Sequence, residues 1–94
     1  MNISIITFTE NGTKLAEKIR QAFVGTKTEE AKKLGLSLSD WTRQQFAEKN
    51  AIVVIGACGI AVRMIAPFVS DKLSDSPVVV ADEAGTVVIP LLSG

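Results

Sequence analysis

The stretch from Ala51 to Ser70 constrains the fold of this chain more than any other segment, because Arg63 is its only charged side chain. The first five residues are β-branched or small, which favours a strand buried on both faces. Gly56 and Gly59 then interrupt the run, and Ile60–Val69 has the length and hydropathy of a helix. The segment therefore predicts a strand, a glycine turn and a helix, with Arg63 one turn inside that helix.

The predicted glycine turn is a candidate binding site for an anion. The first N–H groups of a helix are free, and its dipole favours negative charge. Helical side chains lean toward the N-terminus, so the Arg63 guanidinium would reach back over the turn and bind a carboxylate. Gly56, Ala57, Gly59 and Arg63 are thus candidate substrate-binding residues.

Two structural alternatives stay open for this segment. The glycines of the turn would serve backbone shape alone. Arg63 would instead form an ion pair with one of four carboxylates: Asp71, Asp75, Asp82 or Glu83.

Composition excludes several classes of function. The 94 residues make one small domain, and ten basic and ten acidic residues cancel. A net charge of zero gives no electrostatic case for nucleic acid or for an anionic membrane as a partner. Cys58 is the single cysteine and histidine is absent, so a disulfide, a Ser-His-Asp triad and a histidine metal site are excluded within this chain. Carboxylates and lysines remain as the ordinary acid–base groups.

Localisation follows from two features of the sequence. Met1-Asn2 leads directly into a strand pattern, with no secretory leader before it. The apolar run at 51–70 is long enough to suggest a membrane span, but two glycines, Arg63 and Pro67 interrupt it. We expect a reduced cytoplasmic protein without a membrane partner.

The remaining segments alternate between strand and helix patterns. Ile3–Phe8 is a strand candidate, and a helix follows, capped by Asn11 or Thr13 and ended by Gly25. Residues 26–36 are polar and predict a solvated face or a short helix, with a brief edge strand near 24–28. A second helix opens at Ser39-Asp40 and ends at Asn50.

The C-terminal half adds two strands joined by a tight turn. After the central strand at 52–55, the helix and a polar loop at 70–77, the strand at 78–81 precedes a turn at 82–85 and a returning strand at 87–89. We further expect the residues at 88–92 to form a core strand. The chain is predicted to be α/β, a three-layer α/β/α domain with a mainly parallel, mixed sheet and a C-terminal β-hairpin.

Parallel strands place their carboxyl ends at one edge of a sheet, where ligands usually bind. Glu10, Asn11 and Gly12 follow the first strand and are further candidate substrate-binding residues, although helix capping also explains them. Asp82 and Glu83 follow the strand at 78–81, and either is a candidate catalytic base for activating water. The alternative for both is that a hairpin turn favours solvated carboxylates.

Several short sequence motifs resemble the N-terminal domain of the cobalamin biosynthesis protein G family, the cobalt-precorrin-5A hydrolases of the anaerobic vitamin B12 pathway. They arrive in one order and at close spacing: Gly56–Pro67, Asp71-Lys72, Asp75–Val80, Asp82–Gly85 and Val88–Gly94. The opening Thr9–Gly12 with Lys14–Ala16, and Asp40-Trp41 with Phe46, are also similar to that family.

The resemblance implies hydrolytic opening of a lactone on a cobalt-containing macrocycle, with release of a two-carbon unit as acetaldehyde. This is hydrolase chemistry at a carbon–carbon bond. It also implies that the cobalt belongs to the corrinoid or tetrapyrrole substrate, with no protein cofactor and no protein-bound metal. The family pattern continues past Gly94 into a histidine-containing segment and a separate C-terminal domain. We therefore expect residues 1–94 to be one domain of a longer chain, inactive in isolation, with that C-terminal domain as its partner.

Two other functions are compatible with the residues. One is a non-catalytic tetrapyrrole-binding or interaction module that shapes a site completed elsewhere. The other is a small anion- or nucleotide-binding domain of the flavodoxin-like type.

Overall fold

The computed structural model describes residues 2–71 and 75–92. The strands are β1 (Ile3–Thr7), β2 (Thr26–Glu30), β3 (Ala51–Ile55), β4 (Val78–Ala81) and β5 (Val88–Leu92). The helices are α1 (Glu10–Ala22), α2 (Leu38–Glu48) and α3 (Cys58–Ile65), with short 3-10 helices at Ala31–Lys33 and Ala66–Phe68.

The five strands form one mixed sheet in the order β2-β1-β3-β4-β5. β1 lies between β2 and β3 and pairs in parallel with both, so that Ile5 lies opposite both Thr28 and Val53. β3 pairs in parallel with β4, and β5 returns antiparallel to β4. The predicted mainly parallel sheet and the C-terminal hairpin are both confirmed.

Helices cover both faces of the sheet, which confirms the three-layer architecture. Successive strand residues point to opposite faces, and the buried side chains accordingly divide into two clusters. On the α1 side the cluster comprises Ile5, Ala16, Ile55 and Ala81. On the side of α2 and α3 it comprises Ile6, Trp41, Ile52, Val54, Ala61, Met64, Ile65, Val78 and Val80.

The helix termini differ from the sequence predictions. α1 is capped by Thr9, not by Asn11 or Thr13, because the Thr9 side chain accepts a hydrogen bond from the Gly12 amide at 3.0 Å. It ends at Ala22, before Gly25. α2 starts after Ser37, whose side chain accepts from the Asp40 amide, and its C-cap is Lys49 at φ 58°, one residue before the predicted Asn50.

α3 begins two residues before the predicted Ile60, because Cys58 and Gly59 already adopt helical geometry. It ends at Ile65, where the 3-10 helix that contains Pro67 takes over. Arg63 therefore lies in the last turn of α3, not one turn inside its start. A cation near the C-terminus of a helix interacts favourably with the helix dipole.

The two edge strands compare differently with expectation. The brief edge strand predicted near 24–28 is observed as β2, shifted to 26–30, and the alternative of a short helix there is wrong. β5 is the opposite edge strand and not a core strand, since Val88 is 60% exposed and Ile89 is 42% exposed. Only Leu91 and Leu92, at its C-terminal end, are partly buried against the core. The predicted polar loop at 70–77 includes residues 72–74, which lie outside the described residues.

None of the helices in the described ranges combines the length and the hydropathy that crossing a membrane requires.

Candidate functional site

The carboxyl ends of β1, β3 and β4 meet at one edge of the sheet. A cavity of about 260 Å³ there is lined by Thr9, Gly56, Ala57, Asp82 and Glu83. The three segments come from distant parts of the chain, and their parallel pairing brings them together. The carboxyl ends of these strands therefore share one edge, as expected, although Thr9 lines the cavity in place of the predicted residues at 10–12. Contact of any of these residues with a ligand stays a prediction.

A second cavity, of about 610 Å³, lies between the turn at 82–85 and α1. Asn11, Lys14, Leu15 and Lys18 line it from α1, and Asp82, Glu83 and Ala84 line it from the turn. Because Asp82 and Glu83 line both cavities, we treat the two together as the edge cleft. It presents two ammonium groups and two carboxylates.

Glu83 is held in the edge cleft by Thr9. The Thr9 hydroxyl donates a short hydrogen bond to Glu83 Oε2 and accepts one from the Gly12 amide at 3.0 Å. Because the hydroxyl oxygen accepts from the Gly12 amide, its single proton is directed toward the Glu83 carboxylate. Glu83 Oε2 is thus positioned by the cap of α1, while no hydrogen bond to Oε1 is formed within the described residues.

Asp82 is occupied by the hairpin turn. Its Oδ1 accepts from the Thr86 amide at 2.9 Å and the Val87 amide at 3.1 Å, and its Oδ2 accepts from the Thr86 hydroxyl at 2.9 Å. The hydrogen bond from the Val87 amide, then that from the Thr86 side chain, lowers the pKa of Asp82 below its usual 3.8. A carboxylate stabilised in this way is a weaker base, so the structure favours Glu83 over Asp82 for accepting a proton.

Two of the predicted binding glycines have no free amide. The Gly12 amide donates to Thr9, and the Gly56 amide donates to the Ala81 carbonyl at 3.0 Å. A Cβ at Gly12 would lie 3.2 Å from Ile55 Cγ2, and one at Gly56 would lie 3.1 Å from Phe8 Cδ2. Close packing explains both glycines.

The N-terminus of α3 does have free donors. Ala57 is the N-cap without a side-chain hydrogen bond, and the first backbone bond of the helix runs from the Ala61 amide to the Ala57 carbonyl at 3.3 Å. The amides of Cys58, Gly59 and Ile60 have no partner in the described part of the chain. They follow Ala57, which lines the edge cleft, and can donate hydrogen bonds to an anionic group there.

Arg63 and Glu10 lie outside the edge cleft. Arg63 is exposed and lines a separate groove of about 230 Å³ between α2 and α3, with Leu38, Ser39, Ile60, Met64 and Pro67. It forms no ion pair with any residue in the ranges 2–71 and 75–92, so the predicted ion pair is not observed there. Glu10 is exposed in the first turn of α1 and lines neither cavity.

Sequence reasoning missed Thr9, Lys14 and Lys18 as parts of this site. Asn11, Lys14 and Lys18 recur at helical spacing, which places them on one face of α1. That spacing could have identified Lys14 and Lys18 as residues of this site. The Thr9 contact was not predictable in this way, because its partner lies 74 residues later in the chain.

Among the described residues, no group of three or more cysteine, aspartate or glutamate side chains is arranged to hold a metal ion.

Comparison with known proteins gives one matching family. A family model described as "Cobalamin synthesis G N-terminal" matches residues 40–94. Two curated relatives have the name cobalt-precorrin-5A hydrolase. The protein from Salmonella typhimurium is 39% identical over an alignment of 100 positions that covers 99% of this chain and 28% of the relative. The protein from Priestia megaterium is 45% identical over 49 residues, which cover 52% of this chain and 13% of the relative.

A solved structure supports the fold independently. The crystal structure described as a cobalamin biosynthesis protein G homologue from Sulfolobus solfataricus superposes with a TM-score of 0.71 at 24% identity. The match covers 99% of this chain and 29% of that one. This chain therefore spans less than a third of the length of the curated relatives and of the solved homologue that it matches.

Proposed function

We propose that this chain, which belongs to the cobalamin synthesis G N-terminal family, is the part of a cobalt-precorrin-5A hydrolase that contributes the edge cleft to the active site. Two curated relatives with that name support the proposal. The observation that favours catalysis at this cleft is the Glu83 carboxylate, held by the Thr9 hydroxyl beside an uncapped helix N-terminus.

In the proposed reaction, Glu83 takes a proton from a water molecule while the oxygen of that water bonds to the carbonyl carbon of the lactone. The acyl–oxygen bond of the lactone breaks, and the oxygen that leaves takes up a proton. The hydroxyl group so formed then gives its proton to Glu83, and its carbon becomes the carbonyl of acetaldehyde as the bond from that carbon to the macrocycle breaks. The electron pair of the broken carbon–carbon bond passes to the macrocycle. Cobalt belongs to the substrate in this scheme, and no protein cofactor is involved.

Substrate binding in this proposal depends on positive charge. The substrate class bears several peripheral carboxylates, and the edge cleft offers the ammonium groups of Lys14 and Lys18. The free amides at the start of α3 offer a further anion site. We propose that the rest of the polypeptide, which this chain does not include, closes over the macrocycle and excludes bulk water.

The test is acetaldehyde release from cobalt-precorrin-5A by the full-length protein that contains this domain. Glu83→Gln should reduce the turnover number by about 10²–10⁴-fold, which is typical for the loss of a general base. Glu17→Gln is the matched control, because Glu17 pairs with Arg20 on the exposed surface of α1 outside the cleft. Full turnover by the Glu83→Gln protein would refute the assignment of Glu83 as the base.

A non-catalytic tetrapyrrole-binding module is the second candidate function. It is favoured by Asp82, whose oxygens are occupied by the turn, and by the lysines of α1. Replacing Lys14 and Lys18 by Met removes charge and keeps the apolar stems. If this double variant loses corrinoid binding while Glu83→Gln retains full turnover, the domain binds the substrate and the base lies elsewhere in the polypeptide.

A further inference from the structure

A further polar cavity lies toward the opposite ends of the strands and is separate from the edge cleft. It has a volume of about 340 Å³ and is bounded by the starts of β1 and β2, by α2 and by the loop at 34–36. We call it the amide pocket, after Gln44, Gln45 and Asn50 in its lining. None of the candidate site residues discussed above lines it.

The side chain of Gln45 is held in one orientation by a buried hydrogen-bond network. Asn50 Nδ2 lies 3.3 Å from Glu48 Oε1 and 2.9 Å from Gln45 Oε1. Because the Glu48 carboxylate only accepts, the Asn50 nitrogen must face it, and Gln45 must present its oxygen to that nitrogen. The Ser4 hydroxyl donates a second bond to Gln45 Oε1 at 2.6 Å. The Gln45 nitrogen is therefore turned away from the network.

Two donors in the amide pocket lack partners. Gln45 Nε2 and Trp41 Nε1 form no hydrogen bond with any described residue, although Gln45 is only 6% and Trp41 only 4% exposed. The only side-chain nitrogen or oxygen of the described residues that is both fully buried and without a partner is Thr26 Oγ1. Both donor atoms therefore retain some exposure, and both residues line the amide pocket.

The charges around the pocket indicate a neutral ligand. Lys27, Glu29 and Glu48 line it, which gives one positive and two negative charges. A carboxylate would meet this excess of negative charge, whereas a neutral carbonyl oxygen can accept from Gln45 Nε2 and Trp41 Nε1. An N–H group on the same ligand can donate to Glu29 or Glu48. Leu34 and Leu36 add apolar surface beside these groups.

From these contacts we propose that the amide pocket binds a small molecule through a neutral carboxamide group. The carboxamide oxygen accepts from Gln45 and Trp41, its nitrogen donates to a glutamate, and its alkyl part packs against Leu34 and Leu36. The proposal is independent of the function proposed for the edge cleft.

The test uses propionamide as the probe and the indole N–H signal of Trp41 in NMR spectra as the readout. In the full-length protein that contains this domain, the Trp41 signal is the one that is lost in Trp41→Phe. Propionamide should shift this signal saturably, with a dissociation constant on the order of 10 mM for so small a ligand. Propionate, which has the same size and a negative charge, should bind at least about tenfold more weakly.

Gln45→Glu keeps the oxygen that accepts from Ser4 and Asn50 and removes the Nε2 donor. It should weaken propionamide binding about tenfold or more. Gln21→Glu, the same change at an exposed position of α1, should leave binding unchanged. If Gln45→Glu does not fold, Trp41→Phe removes the other donor, and the backbone amide signals of Gln45 and Asn50 then report binding. An indole signal that propionamide does not move, or equal binding of propionamide and propionate, would overturn the proposal.

Discussion

The two ends of the sheet use polar side chains in opposite ways. At the edge cleft most polar groups are charged and largely exposed, and they lie on the turn at 82–85 and along α1. In the amide pocket the central groups are neutral and buried, and they join β1 to α2 and to the start of β3 through Gln45. The amide pocket network therefore supports the fold, whereas exposed cleft side chains such as Glu83, Lys14 and Lys18 can change at little cost to folding.

The largest expected effect on stability comes from the centre of the amide pocket. Gln45→Leu leaves the Ser4 hydroxyl without its partner, removes one of the two acceptors of Asn50 Nδ2 and puts an apolar group among polar ones. We expect the free energy of unfolding to fall by about 2–3 kcal/mol, which for a domain of this size lowers the melting temperature by roughly 10–20 °C. Thermal unfolding followed by circular dichroism measures this, and an unchanged melting temperature would contradict the structural role of the network.

Two glycine substitutions test how tightly the edge region is packed. Gly12→Ala places a Cβ 3.1 Å from Thr9 Oγ1 and 3.2 Å from Ile55 Cγ2, so the cap of α1 must shift. We expect a loss of about 1 kcal/mol, since overpacking outweighs the helix propensity of alanine.

Gly59→Ala is the matched control for that substitution. Gly59 also lies in the first turn of a helix, but a Cβ there has no atom within 4 Å. We expect a gain of about 0.5 kcal/mol from the better helix propensity of alanine. Urea unfolding of both variants measures the two signs, and equal effects would show that the contacts at Gly12 do not matter.

A smaller effect is expected at Asp82, and it should depend on pH. The native pKa of Asp82 is lowered by the Val87 and Thr86 hydrogen bonds, so its charge stabilises the fold at pH values above about 3.8. That contribution is lost as the pH falls through the lower native pKa. Asp82→Asn should therefore lower the melting temperature at pH 7, and the difference from the wild type should shrink as the pH falls below 3.8.

Thr86→Val is the companion variant for Asp82. It removes one side-chain hydrogen bond to Asp82 and keeps the charge and the two backbone donors. Its melting temperature at pH 7 should lie between those of the wild type and Asp82→Asn. A difference between wild type and Asp82→Asn that stays constant from pH 7 to pH 3 would contradict the cause given for the pKa.

The smallest effect on stability is expected at Glu83. Glu83→Gln keeps an oxygen that accepts from the Thr9 hydroxyl, and the side chain is exposed. The melting temperature should change by no more than about 2 °C, as for most surface substitutions. A large loss of stability would mean that Glu83 supports the hairpin, and any loss of turnover in that variant would then need a different explanation.

Several elements of the fold were predictable because local pattern determines them. The strand at 78–81 was predicted with its observed bounds, and the central strand within one residue, since runs of β-branched residues between polar segments favour buried strands. The hairpin followed from the short turn at 82–85. The predicted start of α3 was wrong because the glycines suggested a turn, although Gly59 is already helical.

The α/β class, the succession of strands and helices along the chain and the resemblance to one family were all readable from the sequence, because they depend on periodicity and on short ordered motifs. Which polar groups act together depends on the folded chain. The Thr9–Glu83 and Ser4–Gln45 contacts join residues 74 and 41 positions apart. Such contacts depend on which strands become neighbours in the sheet and on which face each helix covers, and both are settled by pairing between distant segments of the chain. The exposure of β5 was decided in the same way, by its place at the edge of the sheet.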